Sequence, residues 1–112
     1  MATRRIPTKT GCPVETAIAI VGGVWKPLIV YALMDEKRRF GELSRLVPNA
    51  TQRVLSLHLR ELEADGVLTR TVFPDVPLRV EYELTETGRS LTPILYALNA
   101  WGTSYQAKQG AG

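Results

Sequence analysis

Side chains able to do chemistry are few in this chain, and most of them gather on one segment. Gln52, Arg53, Ser56, Leu57 and Arg60 follow Thr51 within residues 51–60. On a helix turning ~100° per residue, Arg53, Ser56, Leu57 and Arg60 fall in one sector of about 100°, and Gln52 borders it. Leu55, Leu59, Leu62 and His58 fall on the other side, as a core face would. Arginine can hold guanine with two hydrogen bonds and glutamine can hold adenine in the same way. Gln52, Arg53 and Arg60 are therefore candidates for reading base edges in a DNA groove. Glu61, Glu63 and Asp65 crowd the C-terminal half and would repel phosphate there. The N-terminal half, where the helix dipole is positive, is the side left for approach. The bland alternative is a solvated surface helix with ordinary charges.

A second set of cations could anchor phosphate without reading sequence. Arg79, with Arg70 on a partner strand, is one candidate; a cross-strand pair of Arg79 with a neighbouring glutamate is the alternative. Arg38 and Arg39 precede a short helix, and Arg4, Arg5 and Lys9 lie in the N-terminal stretch. Cys12 stands just before a helix whose free amides would stabilise a thiolate, the condition for a reactive cysteine. A small apolar residue packed under that helix is the equally open reading. His58 falls on the edge of an apolar face and reads as a half-buried packing residue.

Enzyme chemistry finds no constellation here: there is no glycine-rich phosphate loop and no plausible pair of catalytic carboxylates. One histidine and one cysteine cannot furnish the four ligands of a structural zinc site. Neither a metal nor a cofactor is expected.

The elements that must position these residues are legible in the spacing. Pro13 suits a first helical position, and Val14, Ala17, Ile18 and Val21 then recur at helical intervals until Gly22 and Gly23 stop them. Residues 27–34 are apolar nearly all round, which predicts a central helix buried on most faces. Residues 35–39 read as a charged turn into a short helix with Phe40, Leu43, Leu46 and Val47 on one side, ended by Pro48 and Asn49. Thr51 is a good N-cap for a helix over residues 52–65, and Gly66 suits a left-handed terminator. Short helix, tight turn, longer helix is helix-turn-helix order. The period then changes to two over residues 67–73 and 78–84, predicting a hairpin with residues 74–77 as its loop. A two-stranded ribbon behind a reading helix is a wing. The last helix is predicted from near Thr85 towards Tyr105, with Leu91, Ile94, Leu95, Leu98, Trp101 and Tyr105 on one stripe and a possible kink at Pro93.

At 112 residues, 45% of them apolar, the chain has the material for one domain with one core. A formal charge of +3 and a pI near 9.3 allow an anionic partner without demanding one. A lone cysteine excludes an internal disulfide. Residues 17–34 fail as a membrane span because Gly22, Gly23, Lys26 and Pro27 interrupt them. Residues 1–10 lack the apolar core of a secretory signal, so the cytoplasm is the default expectation. The fold expected is mostly α with a small β-hairpin wing, a winged helix-turn-helix over residues 11–107. A flexible basic arm over residues 1–10 and a frayed tail over residues 108–112 flank it. The terminal helices, through Val14 and Ile18 at one end and the Leu91-to-Tyr105 stripe at the other, carry more apolar surface than one core needs. Pairing across a twofold axis would cover it.

These motifs also resemble a known family. Cys12-Pro13-Val14-Glu15, Gly22-Gly23 followed by Trp25, Arg39-Phe40-Gly41-Glu42-Leu43, residues 59–66 and residues 79–85 are similar, in order, to signatures of HxlR-type winged helix-turn-helix regulators. The resemblance spans about residues 11–105. It implies a homodimer that binds a pseudo-palindromic operator in double-stranded DNA, and a sensor of electrophiles or oxidants at the cysteine matching Cys12. A small-molecule or oxidant effector is the corresponding expectation. The family usually places lysine before the tryptophan; here Val24 stands there and Lys26 follows. No second cysteine accompanies Cys12, so any disulfide would join two subunits or capture a low-molecular-weight thiol. A winged-helix interaction or dimerisation module without its own operator is the alternative function.

Overall fold

The computed structural model describes residue 6 and residues 8–110. Pro13 occupies the first position of α1 (Pro13–Val21), and Gly22 and Gly23, the latter at φ +84°, end it. α2 (Trp25–Leu33) begins two residues earlier than the sequence predicts. Pro27 lies in its first turn, where the missing N–H has no intrahelical partner to lose. Ile29, Val30 and Leu33 are buried, but Leu28 and Tyr31 are exposed, so the helix is half-buried rather than enclosed on most faces. α1 and α2 are bent 76° from each other, and no single described helix is long and apolar enough to cross a membrane.

The charged stretch after α2 ends in a two-residue strand, β1 (Arg38–Arg39), rather than wholly in a turn. α3 (Phe40–Leu46) follows directly, its first turn closed by the Glu42 carboxylate accepting from the Arg39 backbone N–H at 2.9 Å. Leu43 and Val47 are buried, whereas Leu46 is exposed; it lies ~60° round the helix from Leu43, outside the face that the sequence assigned it to. α4 (Gln52–Ala64) starts where Thr51 Oγ1 accepts from the Val54 N–H at 3.1 Å. It ends in a Schellman turn, with Gly66 at φ +77° and the Val67 N–H bonded to the Leu62 carbonyl. Leu55, Leu59 and Leu62 are buried in the core beside Ile29, Val30, Leu43 and Leu68.

β2 (Leu68–Phe73) and β3 (Arg79–Leu84) pair antiparallel from Leu68 opposite Leu84 to Phe73 opposite Arg79. β1 adds to the free edge of β3, with Arg38 opposite Tyr82, so the wing is a three-stranded sheet of order β1-β3-β2 and not a two-stranded ribbon.

The predicted last helix is two elements, α5 (Glu86–Arg89) and α6 (Thr92–Gly110). Pro93 does not kink a helix; it lies in the first turn of α6. Helix continues to Gly110, so the tail expected from residue 108 is helical that far. Residues 111–112 and most of the expected basic arm lie outside the described residues. Leu95 is buried in the protein's own core and Leu91 packs against it, so neither lies on an exposed pairing stripe. Ile94, Leu98, Trp101 and Tyr105 remain exposed, and the rings of Trp101 and Tyr105 stack 5.2 Å apart.

One clasp sets the C-terminal end of α4. The Thr85 hydroxyl reaches the Gly66 and Val67 carbonyls and also accepts from the Gly88 N–H at 3.1 Å. This brings α5 so close that a Cβ on Gly88 would lie 2.1 Å from the Val67 carbonyl oxygen. Gly88→Ala is expected to cost about 1–3 kcal/mol through forced backbone shifts, read as a lower urea midpoint at unchanged slope.

Candidate nucleic-acid interface

The leucine face of α4 is turned inward by the core, which leaves the opposite face outside. Gln52, Arg53, Leu57 and Arg60 are exposed and Ser56 is half-buried. The structure divides these residues into two groups. Gln52, Arg53 and Leu57 project from the outer side of α4, on its first two turns. Ser56 and Arg60 instead line a crevice between α4 and the sheet, together with Leu59, Glu63, Arg70 and Tyr82. Thr51 is exposed; its hydroxyl oxygen accepts from the Val54 N–H, which leaves its proton and one lone pair to face outward. Among the described residues, Arg53, Arg60 and Arg70 have no ion-pair partner. Arg53 stands at the positive end of the helix, whereas Arg60 and Arg70 share their crevice with the Glu63 carboxylate.

The remaining cations are less free. Arg79 is held on three sides: Nε lies 3.0 Å from Asp75, Nη1 lies 3.0 Å from Glu81, and the guanidinium stacks 4.0 Å above the Phe73 ring. The glutamate partner belongs to the same strand, not across the sheet. Lys37 shares it at 3.2 Å. Arg38 bonds the Ala32 carbonyl through Nε and Glu36 through Nη1, which ties it to the end of α2 rather than presenting it to a ligand. Arg39 is exposed at the start of α3. Arg4 and Arg5 lie outside the described residues.

Behind the outer face of α4 is an arrangement that periodicity does not reveal. Lys26 of α2 is buried, and its Nζ lies 3.0 Å from Glu61 Oε1 on α4. His58 Nδ1 is 3.5 Å from the same oxygen, buried and without a hydrogen-bond partner. A lone lysine in an apolar stretch was the available sign, since such a charge must be paired when its helix is buried. Among the described residues no group of three His, Cys, Asp or Glu side chains is arranged to hold a metal ion.

Cys12 is the N-cap residue of α1 and is exposed. Its backbone oxygen accepts from the Glu15 N–H, and its own N–H donates to Thr10 Oγ1 at 3.2 Å. Val14 and Ile18 stand exposed on the same side.

A three-stranded wing behind a capped helix with free arginines is the form of a winged helix-turn-helix, and the family model for HxlR-like helix-turn-helix proteins matches residues 20–110. The chain belongs to the HxlR-like family. It is 51% identical over 98 residues to YybR of Bacillus subtilis (strain 168), named an uncharacterized HTH-type transcriptional regulator, across 88% of this chain and 78% of that protein. Among solved structures, the redox regulator HypR in its reduced form superposes with a TM-score of 0.84 at 46% identity, covering 90% of this chain and 100% of that one. The oxidized form of HypR gives a TM-score of 0.80 at 50% identity, covering 83% and 96%. This HxlR-like protein is a DNA-binding transcriptional regulator of the helix-turn-helix type.

Sequence reasoning located the outer face of α4 but not the brace behind it, nor the acid that fixes the segment before α1. In this HxlR-like chain the Glu15 carboxylate accepts from the Lys9 and Thr10 backbone N–H groups and from the Thr10 hydroxyl. The Lys9 hydrogen bond, then those of Thr10, hold its pKa below the usual carboxylate range. A depressed folded-state pKa means that the clasp is fully present above the unfolded value and is lost as pH falls through the folded one. Lowering the pH from neutral to well below the ordinary carboxylate range is therefore expected to release residues 9–12. The Lys9 and Thr10 amide resonances should move together with the titration of Glu15, and Glu15→Gln should abolish that joint movement.

Proposed function

We propose that two copies of this chain pair through their terminal helices and read a pseudo-palindromic operator with the outer face of α4. The observation that carries the reading is the unpaired Arg53 beside Gln52 and Leu57, on the first turns of a helix whose own dipole favours phosphate. Pairing is supported by what one chain leaves uncovered. Val14 and Ile18 on α1 and Ile94, Leu98, Trp101 and Tyr105 on α6 are all about half or more exposed. The radius of gyration is 15.5 Å, against roughly 13 Å for a compact domain of this length. A twofold axis through the terminal helices would set the two α4 faces about one DNA turn apart, roughly 34 Å, or a multiple of it.

Within the β2–β3 hairpin, Arg70 has no ion-pair partner among the described residues, so phosphate contact falls first to Arg70, with Arg60 across the crevice. Arg79 joins only by exchanging a carboxylate for a phosphate. Arg39, at the head of α3, adds a backbone contact of the kind that orients without reading.

Cys12 supplies the response. Two Cys12 thiols, one per subunit, would lose two protons and pass two electrons to an oxidant such as a diazene or quinone, joining the subunits by a disulfide. With a low-molecular-weight thiol in place of the partner, one Cys12 forms a mixed disulfide with the same balance. Either product changes the ends of the α1 helices and hence the separation of the reading helices. The solved oxidized and reduced forms of HypR support this direction.

On a duplex enriched from a random-sequence pool, Arg53→Ala should lose about 1–3 kcal/mol of affinity while binding to unrelated DNA holds. Arg70→Ala should weaken both and flatten the salt dependence by roughly 0.9 in log–log slope per lost contact. Equal loss on all sequences from Arg53→Ala would remove it from base reading. Diamide should release the parent from the duplex and add a thiol-sensitive band or mass to it, and Cys12→Ser should bind but ignore diamide. A Cys12→Ser protein that still responds overturns the sensor assignment.

A further inference from the structure

The buried ammonium of Lys26 has no part in base contact or in pairing. It lies on the core side of α2, three and four residues before the fully buried Ile29 and Val30, with its side chain 9% exposed. Removing an ammonium from water costs more than a single carboxylate commonly repays, and apolar side chains in place of both members of such a pair generally serve a core as well or better. Stability alone therefore does not account for a lysine here. What an ion pair adds that leucines cannot is direction.

α4 meets the core through Leu55, Leu59 and Leu62. Contacts of this kind fix depth better than angle, because apolar surfaces slide with little penalty and cores lose uniqueness before stability. The reading side chains stand about 6 Å from the helix axis, so a rotation of about 20° moves their contact points by about 2 Å. That displacement exceeds the whole tolerance of a hydrogen bond to a base edge. The Lys26–Glu61 contact at 3.0 Å is the directional bond between α2 and α4. Glu61 follows Arg60 and lies one turn beyond Leu57, so whatever fixes Glu61 fixes the angle at which that face meets a groove.

We propose that Lys26 is a positioning residue: through Glu61 it sets the rotation of α4 about its own axis and thereby the discrimination between operator and unrelated DNA. This rests on α4 as the reading helix. Non-specific affinity, which depends on charge rather than angle, lies outside its control.

The test compares the parent with Lys26→Met and Lys26→Arg on the enriched duplex and on a shuffled duplex of equal length at one salt concentration, with urea unfolding alongside. Lys26→Met, which takes the ammonium away from Glu61, is expected to lower the unfolding midpoint and to hold the shuffled duplex within about twofold of the parent. Its operator-to-shuffled affinity ratio should fall about tenfold, and Lys26→Arg, which can still reach Glu61, should recover most of that ratio. An unchanged ratio in Lys26→Met overturns the proposal. Should Lys26→Met not fold, Glu61→Gln, which keeps the shape and an acceptor oxygen, must show the same selective loss, and a parental ratio there overturns it equally. A parent that enriches no sequence is a different result, and removes the reading role of α4 itself.

Discussion

The burial of Leu55, Leu59 and Leu62 is the constraint from which the outer face of α4 follows. A helix has one circumference, and three leucines fully withdrawn from water decide which part of it remains outside. Each such burial contributes about 1.5–3 kcal/mol, far more than the polar contacts at the surface. The outer residues are thus placed by what lies behind them. Thr51 and Gly66 mark the ends of the segment, one by capping free amides and the other by accepting a positive φ, so the length of the outer face is set as firmly as its orientation.

Electrostatics then sorts residues of one type into different tasks. Arg53 and Arg70 have no ion-pair partner among the described residues, whereas Arg79 is enclosed by two carboxylates and an aromatic ring, and Arg38 is fastened to the end of α2. Net charge says nothing about this division. Lys26 is a further case, a cation spent wholly inside the fold.

What was legible in the sequence were the features that repeat or that demand a particular residue. α4 and both of its ends, the alternation of β2 and β3, and the opening of α1 at Pro13 follow from period and from local backbone chemistry. β1 was hidden because two residues make no period, and both are arginines, which suit a turn as well as an edge strand. The α5–α6 break was hidden because Pro93 is equally at home in a kink and in a first turn. Leu95 was grouped with Ile94 although it lies about 100° away, while Ile94, Leu98, Trp101 and Tyr105 fall within about 60°. Finer arithmetic would have separated own core from outer face. The partners of Arg79 and Lys26 were not legible, since Glu61 and Lys26 are brought together only by the packing of α4 on α2.

β1 is only two residues long, yet it alters the mechanics of the wing. A free hairpin joined to a domain by its base can pivot, and its tip then samples an arc. Here the middle strand is stitched on both edges, and the chain passes from β1 into α3 without an intervening loop. The wing and the first helix of the helix-turn-helix are in effect one solid piece. A strain applied at the outer loop of the sheet would travel to α3 as a tilt rather than dissipate as local flexing.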